Sequence, residues 1–294
     1  MSADVTVIVP AYRAAATIGR ALRSVAAQTL PPRAVVVVDD GSPDETFANA
    51  EAMRAQIGAI DLKVIRQANA GAGAARNRAL TETTTEYVAF LDADDEWLPD
   101  KLSRSMARMA EGDYVLVAHD SVEVRDGREI RLDCAARFRA HAEAPYVGLY
   151  RRGFIDTSTV VARRDAVMAS GGFDTTLANG QDFALWLAML APSGARFLVF
   201  DEVLSRYHIT AGSIMSHVER RRRCCMEIAR RYAPALRAHP GSPLASLWFR
   251  TLAVHREAVA AHFARQEIGA ALRAVALTPG ALASATLGYL AGRA

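Results

Sequence analysis

Three aspartates lie within four positions, directly after a run of apolar residues. They are Asp92, Asp94 and Asp95, and the apolar run before them is Tyr87–Leu91. Carboxylates this close repel one another, and a divalent cation relieves the repulsion. Mg²⁺ in particular binds one or two protein carboxylates and completes its octahedron with substrate phosphates and water. The cluster therefore indicates a site for a metal ion and a diphosphate, with Asp94 and Asp95 as the metal ligands.

Helix capping is the alternative interpretation of this cluster. The segment Trp97–Leu102 predicts the start of a helix, aspartate is a favoured N-cap residue, and Pro99 suits a first turn. A cap uses only one carboxylate, however, so capping alone leaves two of the three aspartates without a reason.

Alternating strand and helix patterns indicate an α/β fold. Four apolar, β-branched runs are separated by helical patterns, which favours parallel pairing of buried strands. These runs are Val5–Val9, Ala34–Val38, Leu62–Ile65 and Tyr87–Leu91. Further along, Val122–Ile130 alternates around Asp126 and Gly127, which is a hairpin signal. The sequence therefore predicts a mixed sheet. Residues 132–153 lack periodicity and are expected to form a long loop of the kind that often covers a site.

Polar residues recur at the carboxyl ends of the four predicted parallel strands. Tyr12 follows the first strand, Asp39 and Asp40 the second, Asn69 and Gly71 the third, and the aspartate cluster the fourth. Ligands of open parallel sheets bind at this edge. Ordinary turn composition explains glycine, serine and proline in such loops, but it does not explain repeated aspartates.

The loop after the third strand adds a cation. Asn69–Asn77 is rich in glycine and alanine, so a ligand can approach its backbone, and it leads into a helix whose start carries Arg76. The loop matches neither the dinucleotide-binding fingerprint nor the phosphate-binding P-loop. On its own, Arg76 would more often be a solvated helix residue than a ligand.

A later acidic residue, Asp182, opens a strongly apolar helix. It follows Gly171–Asp174 and Asn179–Gln181. In the first turn of a helix an aspartate stabilises the positive end of the dipole, so a structural role and a catalytic role both remain open here.

In their order along the chain these motifs resemble those of family 2 glycosyltransferases. The matching segments are Val7–Tyr12, Val38–Ser42, Asn69–Asn77, Asp92–Asp95 with Trp97–Pro99, and Gly171–Asp174 with Gln181–Asp182. The resemblance covers roughly residues 4–215. It implies a GT-A fold, that is, a Rossmann-like mixed sheet flanked by helices. It also implies a nucleotide-diphosphate sugar as donor, with a UDP-sugar favoured, Mn²⁺ or Mg²⁺ as cofactor, and inversion at the anomeric carbon.

The resemblance also assigns roles to individual residues. Asp182 would be the general base, and Asp94 and Asp95 would bind the metal. The residues expected to bind the nucleotide sugar are Pro10, Tyr12, Asp39, Asp40, Asn69, Gly71, Arg76, Asp92 and Asp94. Among these, Pro10, Tyr12 and Asp40 would surround the base. Asp39 would support the turn. His208 is a candidate for closing over the diphosphate, although a lone histidine is more often a packed or solvated residue.

The Gln-x-x-Arg-Trp motif of processive synthases is absent from the sequence, so transfer of one sugar to a glycan or lipid-linked acceptor is expected, as in polysaccharide biosynthesis. Two other classes stay open. A related nucleotidyltransferase would carry a glycine-rich basic loop after the first strand, where this chain has Pro10–Ala14. A non-catalytic nucleotide-sugar binding protein would bind the donor without cleaving it.

Charge divides the chain into an acidic body, residues 1–218, expected to be the catalytic domain, and a basic helical extension, residues 219–294. The extension holds twelve arginines and four glutamates, so its net charge is 12 − 4 = +8. The whole chain has a net charge of +3, which leaves 3 − 8 = −5 for the body. Its aromatics lie among alanines at helical spacing and do not interleave with arginines, which excludes a nucleic-acid partner. An anionic membrane surface is the favoured partner.

The extension ends in the most apolar stretch of the chain, Ala270–Gly292. Arg273 and the Pro279–Gly280 pair interrupt this stretch, so a membrane-spanning helix is not expected. Packing on the catalytic domain is favoured over lying on a membrane. Three cysteines and the lack of a secretory signal indicate a cytoplasmic protein, with the inner face of the plasma membrane as the peripheral site.

Overall fold

The computed structural model describes residues 2–125, 127–209 and 217–292. The strands in this part of the chain are β1 Ala3–Ala11, β2 Pro32–Asp39, β3 Asp61–Arg66, β4 Tyr87–Phe90, β5 Glu96–Trp97, β6 Leu116–Arg125, β7 Arg128–Leu132, β8 Val161–Arg163 and β9 Phe197–His208. The α-helices are α1 Ile18–Ala26, α2 Thr46–Ala52, α3 Ala72–Thr81, α4 Lys101–Ala110, α5 Cys134–Arg139, α6 Pro145–Arg152, α7 Arg164–Ala169, α8 Gln181–Leu190, α9 Val218–Tyr232, α10 Pro243–Ala264 and α11 Ile268–Leu290.

The strands form one mixed sheet in the order β3-β2-β1-β4-β8-β6-β9-β5, with β7 paired to β6. The first four strands pair in parallel, as the apolar runs predict. β8 then runs antiparallel to both β4 and β6, and β6 and β7 form the expected hairpin. Asp126, which belongs to the predicted hairpin signal, lies outside the described residues. The predicted mixed α/β sheet is confirmed.

Helices cover both faces of the parallel part of the sheet. Ile18, Leu22 and Val25 recur at i, i+4 and i+7 on α1, and all three are fully buried in the core that contains Val7 and Val35. α3 contacts β1 and β2 through a face of small buried residues. Burial on both faces explains why the strands are continuous apolar runs without polar alternation.

The chain separates into two compact units. The first comprises Met1–Ala136, Ile155–Thr175 and Ala195–Ala211, and it contains the whole sheet. The second comprises Arg137–Phe154, Thr176–Gly194 and Gly212–Ala294, and it contains α6 and α8 together with α9, α10 and α11. The expected division into residues 1–218 and 219–294 remains a prediction about domains.

The expectation of a long loop over residues 132–153 is wrong. Two short helices, α5 and α6, occupy most of this segment. In α6, Pro145 occupies the first turn, and Tyr146, Leu149 and Tyr150 are buried. The helices are too short for a 3.6-residue period to stand out from the arginines around them, and packing stabilises them.

The expected interruption of the C-terminal apolar stretch is also wrong. α11 continues through Pro279 for 23 residues. By length and composition it could cross a membrane, and only 17% of its most apolar window is buried. The residues it does bury are small ones, Ala271, Ala274 and Ala285, and the helix packs against α9 and α10.

Candidate active site

The register of the parallel strands brings the candidate loops to one edge of the sheet. Ala11 at the end of β1 pairs with Asp39 at the end of β2, which in turn pairs with Arg66 at the end of β3. Leu91, just after β4, donates its N–H to the carbonyl of Ile8. The loops after β1, β2, β3 and β4 therefore begin side by side at the carboxyl edge, where ligands of open parallel sheets bind.

Asp40 organises the loop that follows β3. Its buried carboxylate accepts hydrogen bonds from Gln67 Nε2 at 2.8 Å, from the N–H of Ala70 at 2.9 Å and from the N–H of Gly71 at 2.8 Å. Asn69 Nδ2 donates to the Asp40 carbonyl at 2.9 Å. Hydrogen bonds thus connect Asp40, Asn69 and Gly71 into one loop cluster, which we call the Asp40 cradle. A nucleotide base that contacts the Asp40 carboxylate, as expected, would share it with three protein donors.

Asp39 lies behind this cradle with its side chain fully buried. Its carboxylate accepts the N–H of Ser42 at 3.0 Å and lies 3.2 Å from Arg66 Nε. Between the two aspartates and Ser42 stands Gly41, with φ at +72°. A Cβ there would lie 2.9 Å from the backbone nitrogen of Asn69, so glycine is required both by the dihedral and by the close approach of the two loops.

Arg76 points back from α3 to the aspartate cluster. Its Nη2 lies 2.5 Å from Asp92 Oδ1, and its guanidinium lies over the ring of Phe173 at 5.2 Å. The Arg76 side chain is 7% exposed and that of Asp92 is 33% exposed. Arg76 is therefore not a solvated helix residue, since it places a buried positive charge beside the candidate metal site.

Ser158 joins the two ends of the aspartate cluster. Its hydroxyl donates to Asp95 Oδ2 at 2.5 Å and accepts the N–H of Asp92 at 3.1 Å, while its carbonyl accepts Trp97 Nε1 at 2.7 Å. Ser158 reaches this position because β8, which follows it, runs antiparallel to β4. Residues just before β8 must then lie beside residues just after β4.

Asp95 is a carboxylate in a repulsive environment. It is 2% exposed, and burial, together with the charges of Asp92 and Asp94, raises the pKa of its carboxyl well above the ordinary value. Its hydrogen bonds, from Ser158 and from the N–H of His208, oppose that shift only in part. Neither bond caps a helix. A bound cation would relieve this repulsion, so Asp95 with Asp94 beside it would suit a divalent metal.

The remaining predicted residues differ widely in exposure. Pro10 is buried within β1, paired with Val38, whereas the Tyr12 side chain is 46% exposed and lies beneath the guanidinium of Arg13. The Asp94 carbonyl accepts Arg20 Nη2 at 2.5 Å. This bond fixes the backbone of Asp94 from α1.

His208 contacts the aspartate cluster through its backbone, and its ring lies near Glu96. Its N–H donates to Asp95 Oδ1 at 3.2 Å, and its Nε2 lies 3.6 Å from Glu96 Oε2. Burial, followed by the charge of Arg20, lowers the pKa of the imidazole below its ordinary value, so the ring is neutral at pH 7. A neutral histidine can donate a hydrogen bond from its ring without competing with a cation for the carboxylates.

Asp182 belongs to the second compact unit. It lies in the first turn of α8, behind Gly180, whose φ of +75° places it in the left-handed region at the N-cap. Gln181 Nε2 donates to the Leu177 carbonyl at 2.7 Å, and the rest of α8 is largely buried. A polar first turn on a rigid, buried helix is suited to presenting one carboxylate in a fixed direction.

Ser158, Arg20 and the His208 backbone are the site residues that the sequence did not reveal. A polar run, Asp156–Thr159, before a buried strand was the only local signal for Ser158. Arg20 and the backbone of His208 carry no such signal, because their contacts depend on strand order and helix placement.

Residues 6–168 match the model for Glycosyl transferase family 2. This span is more than half of the chain and contains every predicted site residue except Asp182 and His208. The chain belongs to glycosyltransferase family 2. The activity class expected from the ordered motifs is thereby confirmed.

Curated relatives of the chain include bacterial glycosyltransferases, one of them named for the biosynthesis of amylovoran. The chain is 30% identical over 212 residues to the amylovoran biosynthesis glycosyltransferase AmsB of Erwinia amylovora, covering 69% of each protein. It is 28% identical over 214 residues to WfgD of Escherichia coli, covering 72% of this chain and 80% of that protein. WfgD is described as a UDP-Glc:α-D-GlcNAc-diphosphoundecaprenol β-1,3-glucosyltransferase.

Solved structures of glycosyltransferases share the fold. TarS 1–349 of S. aureus with UDP-GlcNAc superposes with a TM-score of 0.67 at 21% identity, covering 96% of this chain and 82% of that one. The mannosyltransferase PcManGT of Pyrobaculum calidifontis, in complex with GDP-Man and Mn²⁺, superposes with a TM-score of 0.66 at 22% identity, covering 99% and 88%. The predicted GT-A fold with C-terminal helices is confirmed.

Proposed function

We propose that this glycosyltransferase transfers one sugar, with inversion, from a nucleotide-diphosphate sugar to an acceptor hydroxyl during synthesis of a cell-surface polysaccharide. The observation that carries the proposal is the buried, charge-crowded carboxylate of Asp95 at the edge of the sheet where the candidate donor loops converge. The family relatives named above support the donor class and the biosynthetic role. A UDP-sugar is the favoured donor, in keeping with the UDP-Glc donor that the name of WfgD gives.

A divalent cation, Mn²⁺ or Mg²⁺, fits the aspartate cluster. Within the described ranges, no group of three acidic, histidine or cysteine side chains is arranged to enclose a metal, so Asp94 and Asp95 would supply the protein ligands and donor phosphates and water the rest. When bound, the cation would neutralise the negative charge that develops on the leaving diphosphate. Ser158 and the His208 N–H hold the Asp95 carboxylate in place for that role.

The nucleotide would lie along the loops after β1, β2 and β3. Tyr12 offers an exposed ring for the base, next to Pro10 and the Asp40 cradle. The N-terminus of α3, behind Gly71, and the buried Arg76 favour negative charge near the diphosphate. Asp39 and Asn69 position these loops through the contacts described above, and Asp92 orients Arg76.

Asp182 is the proposed general base. The attacking hydroxyl must lose its proton as the bond to the anomeric carbon forms, and one carboxylate on the far side of the sugar from the leaving group suffices. Direct displacement of the nucleoside diphosphate by that oxygen inverts the anomeric centre. No acid is needed at the leaving group when its charge is neutralised.

The test is a comparison of donor hydrolysis, sugar transfer and donor binding. Wild-type protein with Mn²⁺ is expected to release UDP slowly from a UDP-sugar, and Asp182→Asn is expected to keep donor affinity while losing at least about 100-fold in transfer rate. Near-normal turnover of Asp182→Asn would remove this residue from the mechanism. Donor binding without any hydrolysis or transfer by wild-type protein would indicate a binding protein in place of an enzyme.

We also propose that the acceptor is lipid-linked and that the protein works peripherally on the cytoplasmic face of the plasma membrane. The support is the outward face of α11. Large apolar side chains there are 51% to 71% exposed, and those that share one side of the helix are Ile268, Leu272, Val275, Leu287 and Leu290. A solvated apolar stripe of this length marks an interaction surface.

Liposome flotation tests the membrane proposal. Wild-type protein should float with vesicles that contain anionic lipid and be released by alkaline carbonate, as peripheral proteins are. The double substitution Leu272→Asp and Leu287→Asp should abolish flotation, whereas Ile130→Asp, at an equally exposed apolar position on β7, should not. Flotation unaffected by the α11 substitutions would refute the assignment, and resistance to carbonate would indicate a spanning helix.

A further inference from the structure

A cleft of about 570 Å³ opens between α9 and α11, within the second compact unit. Four arginines from α9 line one side, and Ala281 of α11 lines the other. The arginines are Arg222, Arg223, Arg230 and Arg231. None of them belongs to the site at the sheet edge, and the proposed transfer reaction does not use them.

Helical geometry accounts for the convergence of these side chains. Residues four apart lie on the same face of an α-helix, so Arg222 and Arg230 lie in one row and Arg223 and Arg231 in the next. Within each row the two arginines are eight residues apart, which corresponds to about 12 Å along the axis. α9 therefore presents two arginine forks to the same cleft, one formed by Arg222 and Arg223 and the other by Arg230 and Arg231.

Carboxylates compensate only half of this charge. Arg222 Nε lies 3.0 Å from Glu219 Oε2, and Arg231 Nη2 lies 2.8 Å from Glu227 Oε1. Among the described residues, neither Arg223 nor Arg230 has a carboxylate within ion-pair distance. Both line the cleft, and arginines placed only for stability would be expected to pair with carboxylates.

Arg230 is the more informative of the two. Within the part of the chain that the structure describes, its Nε is buried without a hydrogen-bond partner, and its Nη2 makes one long contact, of 3.4 Å, with Ser284 Oγ. An unpaired buried donor is unfavourable, so a bound acceptor at this point would stabilise the site. The opposite wall, Gly280–Ser284, begins with small residues that leave room for such a ligand.

A guanidinium binds phosphate through two parallel N–H···O bonds, and this geometry favours arginine over lysine at phosphate sites. Two forks about 12 Å apart at the backbone, with side chains that reach inward, match an anion with two linked phosphates better than a single phosphate. We propose that the α9–α11 cleft binds the diphosphate group of a ligand other than the sugar donor. The inference rests on the proposed function in one respect only, which is the choice of a lipid-linked acceptor as the preferred source of the diphosphate.

Isothermal titration of the full-length protein with inorganic pyrophosphate tests the cleft directly. EDTA is included so that the metal-dependent donor site does not contribute. The double variant Arg223→Gln and Arg230→Gln should bind pyrophosphate at least about tenfold more weakly than wild type, because two charge-assisted contacts are lost. The matched control is Arg256→Gln with Arg265→Gln, which removes the same charge from exposed positions outside the cleft and should bind within about twofold of wild type.

Competition then identifies the source of the diphosphate. If geranyl diphosphate displaces pyrophosphate from the wild-type protein but not from the cleft variant, the result would support a lipid-linked ligand. If UDP displaces pyrophosphate and geranyl diphosphate does not, the result would support a soluble ligand. Equal pyrophosphate affinity of the cleft and control variants would overturn the proposal. So would displacement by phosphatidylglycerol vesicles that contain no diphosphate, since it would indicate bulk lipid charge.

Donor hydrolysis with Mn²⁺ is measured on the same three proteins. Both double variants should hydrolyse the UDP-sugar at the wild-type rate, which also shows that they are folded. Loss of hydrolysis in every protein, with pyrophosphate binding still dependent on Arg223 and Arg230, would refute the proposed transfer reaction and leave the cleft assignment intact.

Discussion

Substitution of Asp40 by asparagine should destabilise the donor loops with almost no change in shape. The Asp40 carboxylate accepts three hydrogen bonds, two of them from the backbone N–H groups of Ala70 and Gly71. Asparagine keeps one acceptor oxygen and replaces the other by an NH₂ group. At least one of the three donors must then face another donor.

The magnitude follows from how the bonds are divided between the two oxygens. Oδ1 accepts from both Gln67 and Ala70, and Oδ2 accepts from Gly71, so the amide should orient its NH₂ group towards Gly71 and sacrifice a single bond. Because Asp40 is 3% exposed, water does not fully replace that bond. The expected loss is about 1–3 kcal/mol for Asp40→Asn, and more for Asp40→Ala, which leaves both backbone donors without their partner.

Urea unfolding and hydrogen exchange measure the effect globally and locally. The unfolding midpoint should fall, and peptides covering residues 67–76 should lose protection, because the N-terminus of α3 depends on this loop. Donor affinity should fall with them. Asp61→Asn, at an exposed position at the start of β3, should change the unfolding free energy by less than about 0.5 kcal/mol. An unchanged midpoint together with unchanged protection in Asp40→Asn would refute the assigned role.

Three further substitutions probe buried charge. Arg76→Met should cost about 2–3 kcal/mol in urea unfolding, less than for a fully buried pair because Asp92 is one-third exposed; a neutral result would refute a structural ion pair. Asp95→Asn should stabilise the metal-free protein and abolish the rise in melting temperature with Mn²⁺. Since burial and neighbouring charges raise the pKa of Asp95, wild-type metal-free stability should fall as pH rises from the ordinary aspartate pKa through the raised one, and the variant should lack that slope. Lys101 is fully buried over the Trp97 ring, and burial lowers its pKa well below the ordinary value, so wild-type stability should rise with pH towards that ordinary value. Lys101→Met should therefore be more stable than wild type at pH 7 and lose this advantage near pH 10; greater stability of wild type at both pH values would contradict the assignment.

The sequence by itself determined that the strands of the first half are parallel and which residue types lie at their carboxyl edge. Continuous apolar runs between helical patterns require parallel buried strands, and the polar residue after each run must then lie at the carboxyl edge. Asp39, Asp40, Arg76 and the aspartate cluster could be named for this reason. Family membership followed from the same motifs, because their order along the chain is a property of sequence alone.

Roles that depend on contacts between distant segments were decided by the tertiary structure. Asp40 accepts hydrogen bonds from the loop after β3. Ser158 contacts both Asp92 and Asp95, and 63 residues separate it from Asp95 along the chain. No local pattern encodes either contact, since both arise from strand pairing.

The second compact unit shows the same division. Its basic charge and apolar end were evident from composition, but the continuity of α11 through Pro279 and the cleft formed with α9 were not. Packing against neighbouring helices can hold a proline within a helix, and only that packing determines which arginines face one another. Periodicity therefore predicts elements and their faces, whereas the partners of a buried charge depend on the three-dimensional arrangement of segments that are far apart in the chain.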